Sequence, residues 1–216
     1  MLTSKTIEQI RKRLDKMAPW RYAPSFVVPL EAAETMEHFR QPPDELPYKD
    51  APVDSSWGAH WGTVWFRGDI EIPRELRGKR VYYRHRHDGE RLLFVNGQPV
   101  AGMDPYHQEV LLTPKARGGE QYRIYVEAYC GHPMRNVDPF DPKLVTMHGI
   151  SGASYEPPPL PLRESAVVVE RENVTGFLYD ADVLYRTALM LDENSLRRAR
   201  ILEELRVVLD QISLQW

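Results

Sequence analysis

The sequence predicts a mainly β protein: a jelly-roll-like β-sandwich with a short N-terminal helix and two C-terminal helices. Three observations carry that expectation. Between Trp57 and Tyr129, short segments alternate apolar and polar residues with a period of two, which sets the two faces of a strand. Turn dipeptides separate these segments with no helical stretch between them, the pattern of strands packed as two sheets. Beyond Asp180 the apolar spacing lengthens to the three-to-four residue repeat of a helix.

The elements follow in order. Ile7, Ile10, Leu14 and Met17 share one helical face, with Thr6 as the expected cap and Gln9 three residues on. Pro19 ends this helix. Its stripe is narrow and only about three turns long, so it reads as a docking helix rather than a membrane-surface one. Residues 1–56 are expected to hold this helix and an extended arm rich in proline and aromatic residues, with an edge strand near Phe26 to Leu30.

The sandwich is expected over residues 57–175. Val64, Phe66, Gly68, Ile70 and Ile72 alternate with Trp65, Arg67, Asp69 and Glu71, and Pro73 stops the strand. Val81 to His87 alternates in the same way and meets the turn Asp88-Gly89-Glu90. Leu92 to Val95 is apolar on both faces, as in a central strand. Asn96-Gly97 then supplies a hairpin turn, because both residues tolerate positive φ. A loop is expected from Pro99 to Val110. Strands follow at Val110 to Leu112 and Tyr122 to Ala128, divided by Gly118-Gly119. A long irregular loop is expected over 131–162 and a last strand over Val167 to Glu170.

Residues 176–216 are expected to be helical. Leu184, Ala188 and Leu191 fit one helix. Asn194 or Ser195 caps the next, where Ile201, Leu202, Leu205, Val208, Leu209 and Ile212 share a face. A stripe that wide is expected to stay partly uncovered and to mediate self-association, with Ile201, Leu205, Val208, Leu209 and Ile212 as the interface residues.

Composition excludes several classes. The chain has 216 residues and a net charge of −3, so nothing global suggests nucleic acid or an anionic membrane. No apolar run approaches the ~20 residues a membrane span needs. Charges throughout the first residues argue against a signal peptide. The single cysteine, Cys130, rules out an intrachain disulfide and fits a reducing compartment; the expected location is cytoplasmic. Asn173-Val174-Thr175 matches a glycosylation sequon, read as chance in that compartment.

Four constellations have chemical potential. His85 and His87 project to one face, but a zinc site needs three or four ligands and no partner spacing is visible. They read as partly buried, hydrogen-bonded imidazoles. Asp138 and Asp141, with Glu127 or Glu156, have the residue types of a glycosidase acid/base pair, yet Asp138-Pro139-Phe140-Asp141-Pro142 is also a turn signature. Trp57, Trp61 and Trp65, with Tyr106 and His107 in the next loop, are candidates for carbohydrate or interface contacts, since a flat ring stacks on a sugar's C–H face. Packing of the tryptophans in a core competes with that reading. Arg84, Arg86 and Arg91 form a basic cluster, read as a solvated strand face.

Certain motifs resemble the N-terminal region of glycoside hydrolase family 38 α-mannosidases of the cytosolic, vacuolar and bacterial type. They are Trp65-Phe66-Arg67 with Ile70-Glu71-Ile72-Pro73, then Gly78-Lys79-Arg80-Val81, Leu93-Phe94-Val95-Asn96-Gly97-Gln98-Pro99-Val100 and Val126-Glu127-Ala128-Tyr129. The resemblance implies a galactose-binding-like sandwich whose C-terminal helices connect to a catalytic domain. It also implies zinc and an aspartate nucleophile in that domain, which opens with His-x-Asp. No histidine here is followed two positions later by aspartate, so no catalytic or metal residue carries over and no cofactor is expected in this chain. The chain is thus expected to be an inactive, truncated or split part of a mannose-hydrolysing enzyme. Its expected partners are the catalytic domain or a second copy of itself. A free-standing carbohydrate-binding module for mannose-containing oligosaccharides is the alternative. A third possibility is a subunit that pairs in trans with a separate catalytic chain.

Overall fold

A computed structural model describes residues 4–58, 62–130 and 160–212. The chain divides into two compact units, residues 24–168 and residues 1–23 with 169–216.

The first unit is a sandwich of two sheets. Its strands are β1 (Tyr22–Val27), β2 (Glu31–Thr35), β3 (Lys49–Asp50), β4 (Ser56–Trp57), β5 (Thr63–Glu71), β6 (Val81–His87), β7 (Arg91–Val95), β8 (Gln98–Met103), β9 (Glu109–Thr113), β10 (Gln121–Tyr129) and β11 (Leu160–Glu170). One sheet runs β3-β2-β5-β10-β7-β8 and the other β1-β11-β6-β9, with β4 also paired to β11. The alternation in β5 works as expected: Val64, Phe66, Ile70 and Ile72 enter the main core, where they meet Val81, Tyr83, Leu162 and Val167 of the facing sheet. Trp65 points the other way and packs with Phe94 and Tyr125. Residues from the segment after β2, namely Phe39, Leu46 and Tyr48, cover this second cluster.

Asn96 and Gly97 join β7 to β8 with φ of 51° and 77°, the two positive values of a type I′ turn. Asn96 also ties the turn to β10: its Oδ1 accepts from the Arg123 amide at 2.9 Å.

Several expectations need correction. The segment 19–56 is not an arm. It supplies four strands, including β2 inside a sheet, where Ala32 and Ala33 are buried opposite Phe66 and Trp65. The expected edge strand Phe26 to Leu30 is instead β1 ending at Val27, then a break before β2. Leu92 to Val95 is buried at Leu93 and Phe94 but only half-buried at Leu92 and Val95, and it lies one strand in from the edge, with β8 outside it. The first part of the Pro99 to Val110 loop, as far as Met103, is β8, an edge strand that accommodates Pro99 because its outer side needs no donor. The last strand begins at Leu160, seven residues before Val167. The expected irregular loop lies outside the described residues over 131–159.

Among its described residues the second unit holds three α-helices: α1 (Ser4–Met17), α2 (Glu172–Met190) and α3 (Leu196–Gln211). Ile10, Leu14 and Met17 of α1 pack with Ala181, Tyr185 and Ala188 of α2 and with Leu202, Leu205 and Leu209 of α3. Arg13 fastens α1 to the end of α3, donating to the Leu209 carbonyl at 2.6 Å and pairing with Asp210 at 3.1 Å. Ser195 caps α3 by accepting from the Arg198 amide at 3.4 Å. Thr6 lies inside α1 rather than capping it. The helix α2 starts eight residues before Asp180, and its inner face is Ala181, Tyr185 and Ala188; Leu184, placed on that face by spacing, is 45% exposed. No helix among the described residues is long and apolar enough to cross a membrane.

Candidate functional site

The histidines are the first test of chemistry. His85 and His87 do share a face of β6, and that face is the core: both are fully enclosed, not partly buried. The Phe66 ring lies 5.1 Å from His85 and 5.3 Å from His87. His85 Nδ1 meets the Tyr83 hydroxyl at 3.1 Å, and that hydroxyl reaches Ser165 Oγ at 3.1 Å. Burial, and after it the charges of His87 and Arg91, hold the His85 imidazole well below its usual range. It is a neutral core residue. Among the described residues no three His, Cys, Asp or Glu side chains are grouped to hold a metal ion.

The basic cluster is not a solvated face. Arg84 is buried and pairs with Glu109 at 2.7 Å and Glu164 at 3.5 Å, while Arg86 pairs with Glu164 at 3.1 Å. These are cross-strand pairs over β9, β6 and β11, so the carboxylates neutralise the arginines. Arg91 is also buried. Its guanidinium donates to the carbonyls of His85 at 3.1 Å, His87, and Asp104 at 2.5 Å. Burial lowers its pKa to about 10. It clamps the β6–β7 turn to the end of β8.

Above that clamp lies a cleft of about 600 Å³ on the face of the six-stranded sheet that points away from the core. Register builds it: Leu92 of β7 stands between Gly102 of β8 and Glu127 of β10. Gly102 has no side chain, so the surface dips there. Glu90, Asp104 and Tyr129 complete the rim. Burial raises the Glu127 carboxyl, and the neighbouring His38 draws it partly back. Of the proposed acid/base residues Glu127 is the one the structure places; Asp138, Asp141 and Glu156 lie outside the described residues.

The loop beside this cleft is braced from within. Asp104 accepts from the amides of Tyr106 at 2.7 Å and His107 at 2.8 Å, and its second oxygen meets His107 Nδ1 at 2.9 Å. The His107 bond is the main cause that lowers the Asp104 carboxyl. Tyr106 is left 91% exposed. Tyr106 and His107 are therefore accessible, with His107 committed to the turn.

The tryptophans do not form a platform. Trp65 is fully buried. Trp57 is half-buried, stands edge-on to Phe66 at 6.4 Å and donates from Nε1 to Ser55 Oγ at 2.7 Å. Trp61 lies outside the described residues. In the helical unit Leu205 and Leu209 are buried by α1 and α2 rather than uncovered, Ile201 and Ile212 are half-buried, and Val208 is 42% exposed. Sequence reasoning missed the cleft itself. Its floor depends on the pairing of Leu92 with Gly102, and no local pattern encodes that register.

Residues 25–152 match the family described as "Alpha-mannosidase, jelly roll domain". Alpha-mannosidase 2C1 of Homo sapiens is 32% identical over 100 residues, covering 41% of this chain and 10% of that protein. The Mus musculus protein of the same name is 27% identical over 168 residues, covering 72% and 15%. Alpha-mannosidase G of Dictyostelium discoideum is 28% identical over 91 residues, covering 40% and 8%. Each match thus spans a small part of a much longer relative. Among solved structures, a Faecalibacterium prausnitzii β-glucuronidase aligns with a TM-score of 0.46 and 16% identity, over 69% of this chain and 31% of that one.

Proposed function

This chain belongs to the α-mannosidase jelly-roll domain family, and from that premise we propose that it is the non-catalytic N-terminal module of a split or longer α-mannosidase. The parent activity would be hydrolysis of terminal α-linked mannose in the cytoplasm, as in glycoside hydrolase family 38. Chemistry would reside in a separate zinc-dependent catalytic domain, which this module would support and help to assemble. The observation that carries the reading is the enclosure of His85 and His87. The side chains of metal-ligand type that fall together in the sequence are sealed beneath Phe66, out of reach of a substrate.

A second reading has its own support. The cleft over Leu92 and Glu127, with exposed Tyr106 beside it, suits a carbohydrate-binding module for mannose-containing oligosaccharides. One preparation tests both. The pure chain, with and without added zinc, is given an aryl α-mannoside and, separately, titrated calorimetrically with a mannose oligosaccharide. No turnover and no binding are expected. Zinc-dependent turnover lost in His85→Ala would sink the non-catalytic reading. Oligosaccharide binding abolished by Tyr106→Ala would favour the binding module.

A further inference from the structure

The helical unit carries a second cavity, about 510 Å³, along the seam between α2 and α3. Its floor is apolar: Phe177, Ala181, Leu184, Ile201, Leu205 and Val208. Leu184 and Val208 are 45% and 42% exposed. The five residues between the helices are too few for anything but an antiparallel pair. Positions along the seam can therefore be reckoned from the turn.

Four charges rim the floor, and their arrangement is ordered. Arg197 and Arg200 stand at the turn end, in the first turns of α3. Glu204 lies about 6 Å further along, one helical turn beyond Arg200. Asp180 stands across from it on α2. One end of the groove is therefore basic and the other acidic. Several other charges on these helices have intrachain partners: Arg186 with Asp182 at 2.7 Å, and Arg206 with Glu203 at 2.6 Å and Asp210 at 2.9 Å. Among the described residues, Asp180, Arg197, Arg200 and Glu204 form no ion pair.

We propose that this groove is the interface for a second copy of the chain, seated antiparallel about a two-fold axis through the middle of the seam. A rim basic at one end and acidic at the other complements itself after a half-turn. Arg197 and Arg200 of one protomer then face Asp180 and Glu204 of its partner, and the same contact repeats at the other end. The two apolar floors close on each other as a four-helix bundle. The charges select the antiparallel alignment, because a parallel pairing would oppose like charges. This inference rests on the helical unit alone and does not depend on the mannosidase reading.

The test is a charge exchange. Light scattering after size exclusion, across a wide concentration range, is expected to show a monomer–dimer equilibrium for the natural chain. Arg197→Glu with Arg200→Glu makes the rim wholly acidic, and Asp180→Arg with Glu204→Arg makes it wholly basic. All four positions are exposed, so both variants should keep their helical circular dichroism. Each alone should weaken its dimer by about tenfold or more, and an equal mixture should form a heterodimer. A natural chain that stays monomeric throughout overturns the proposal, as does a folded variant that dimerises like its parent. Folded variants that fail to associate on mixing also overturn it. The bare groove would in those cases have another occupant, such as a catalytic polypeptide.

Discussion

His85 illustrates what a two-residue repeat does and does not encode. Alternation places His85 and His87 on one face of β6, and the structure agrees. Alternation is silent about depth, which depends on Phe66 arriving from another sheet. That depth has a consequence for acid stability. A histidine in the unfolded chain takes up a proton near pH 6.5, whereas the folded His85 remains neutral well below that value. Between those two values the unfolded state binds the extra proton, so stability rises with pH and falls as pH drops below about 6.5. One such histidine costs on the order of 1 kcal/mol by pH 5.5. Urea midpoints at pH 7.5 and 5.5 should therefore differ, and His85→Leu should shrink the difference. An unchanged difference in that variant would place the acid sensitivity elsewhere. Arg91 teaches the same lesson: its place in a basic cluster was visible, but its burial over three backbone carbonyls was not.

At the scale of elements, the sequence was most legible where local chemistry dictates backbone shape. The strands β5, β6, β7, β9 and β10 and the Asn96-Gly97 turn all fall where alternation and turn residues put them. Those missed share a different trait. β2 is built around Ala32 and Ala33, poor strand formers locally, and belongs to the sheet because β5 pairs with it. β8 and β11 carry Pro99 and Pro161, which demote a strand when read alone. The start of α2 lacks a capping side chain at Arg171 and has Gly176 in its second turn, so no signal announced it. The hairpin yields a sharp expectation. A Cβ at position 97 would meet nothing within 4 Å, so the cost of Gly97→Val is conformational alone, about 1–3 kcal/mol for a branched residue at positive φ. Gly97→Asn, which tolerates that region, should recover most of it. Thermal melts of the two variants check this, and equal melting temperatures would remove the turn from its structural role.

At the scale of the molecule, the sequence suggested an arm, a sandwich and a connector in linear order, whereas residues 1–23 and 169–216 form one unit. Periodicity found α1 and α3 separately but could not reveal that they share a core, because a helical stripe specifies a face and not its partner. That shared core implies a delay during synthesis. Ile10, Leu14 and Met17 leave the ribosome first, and their partners begin only at α2. At about 5–20 residues per second, the roughly 150 intervening residues take on the order of ten to thirty seconds. Throughout that interval the first helix has nothing of its own to lie against, so it is the stretch a chaperone would meet. Ribosome-bound chains arrested before residue 172 should be cut by protease within residues 4–17, and the full chain after release should resist. Equal resistance in both would mean that α1 finds shelter earlier than its native partners can provide it.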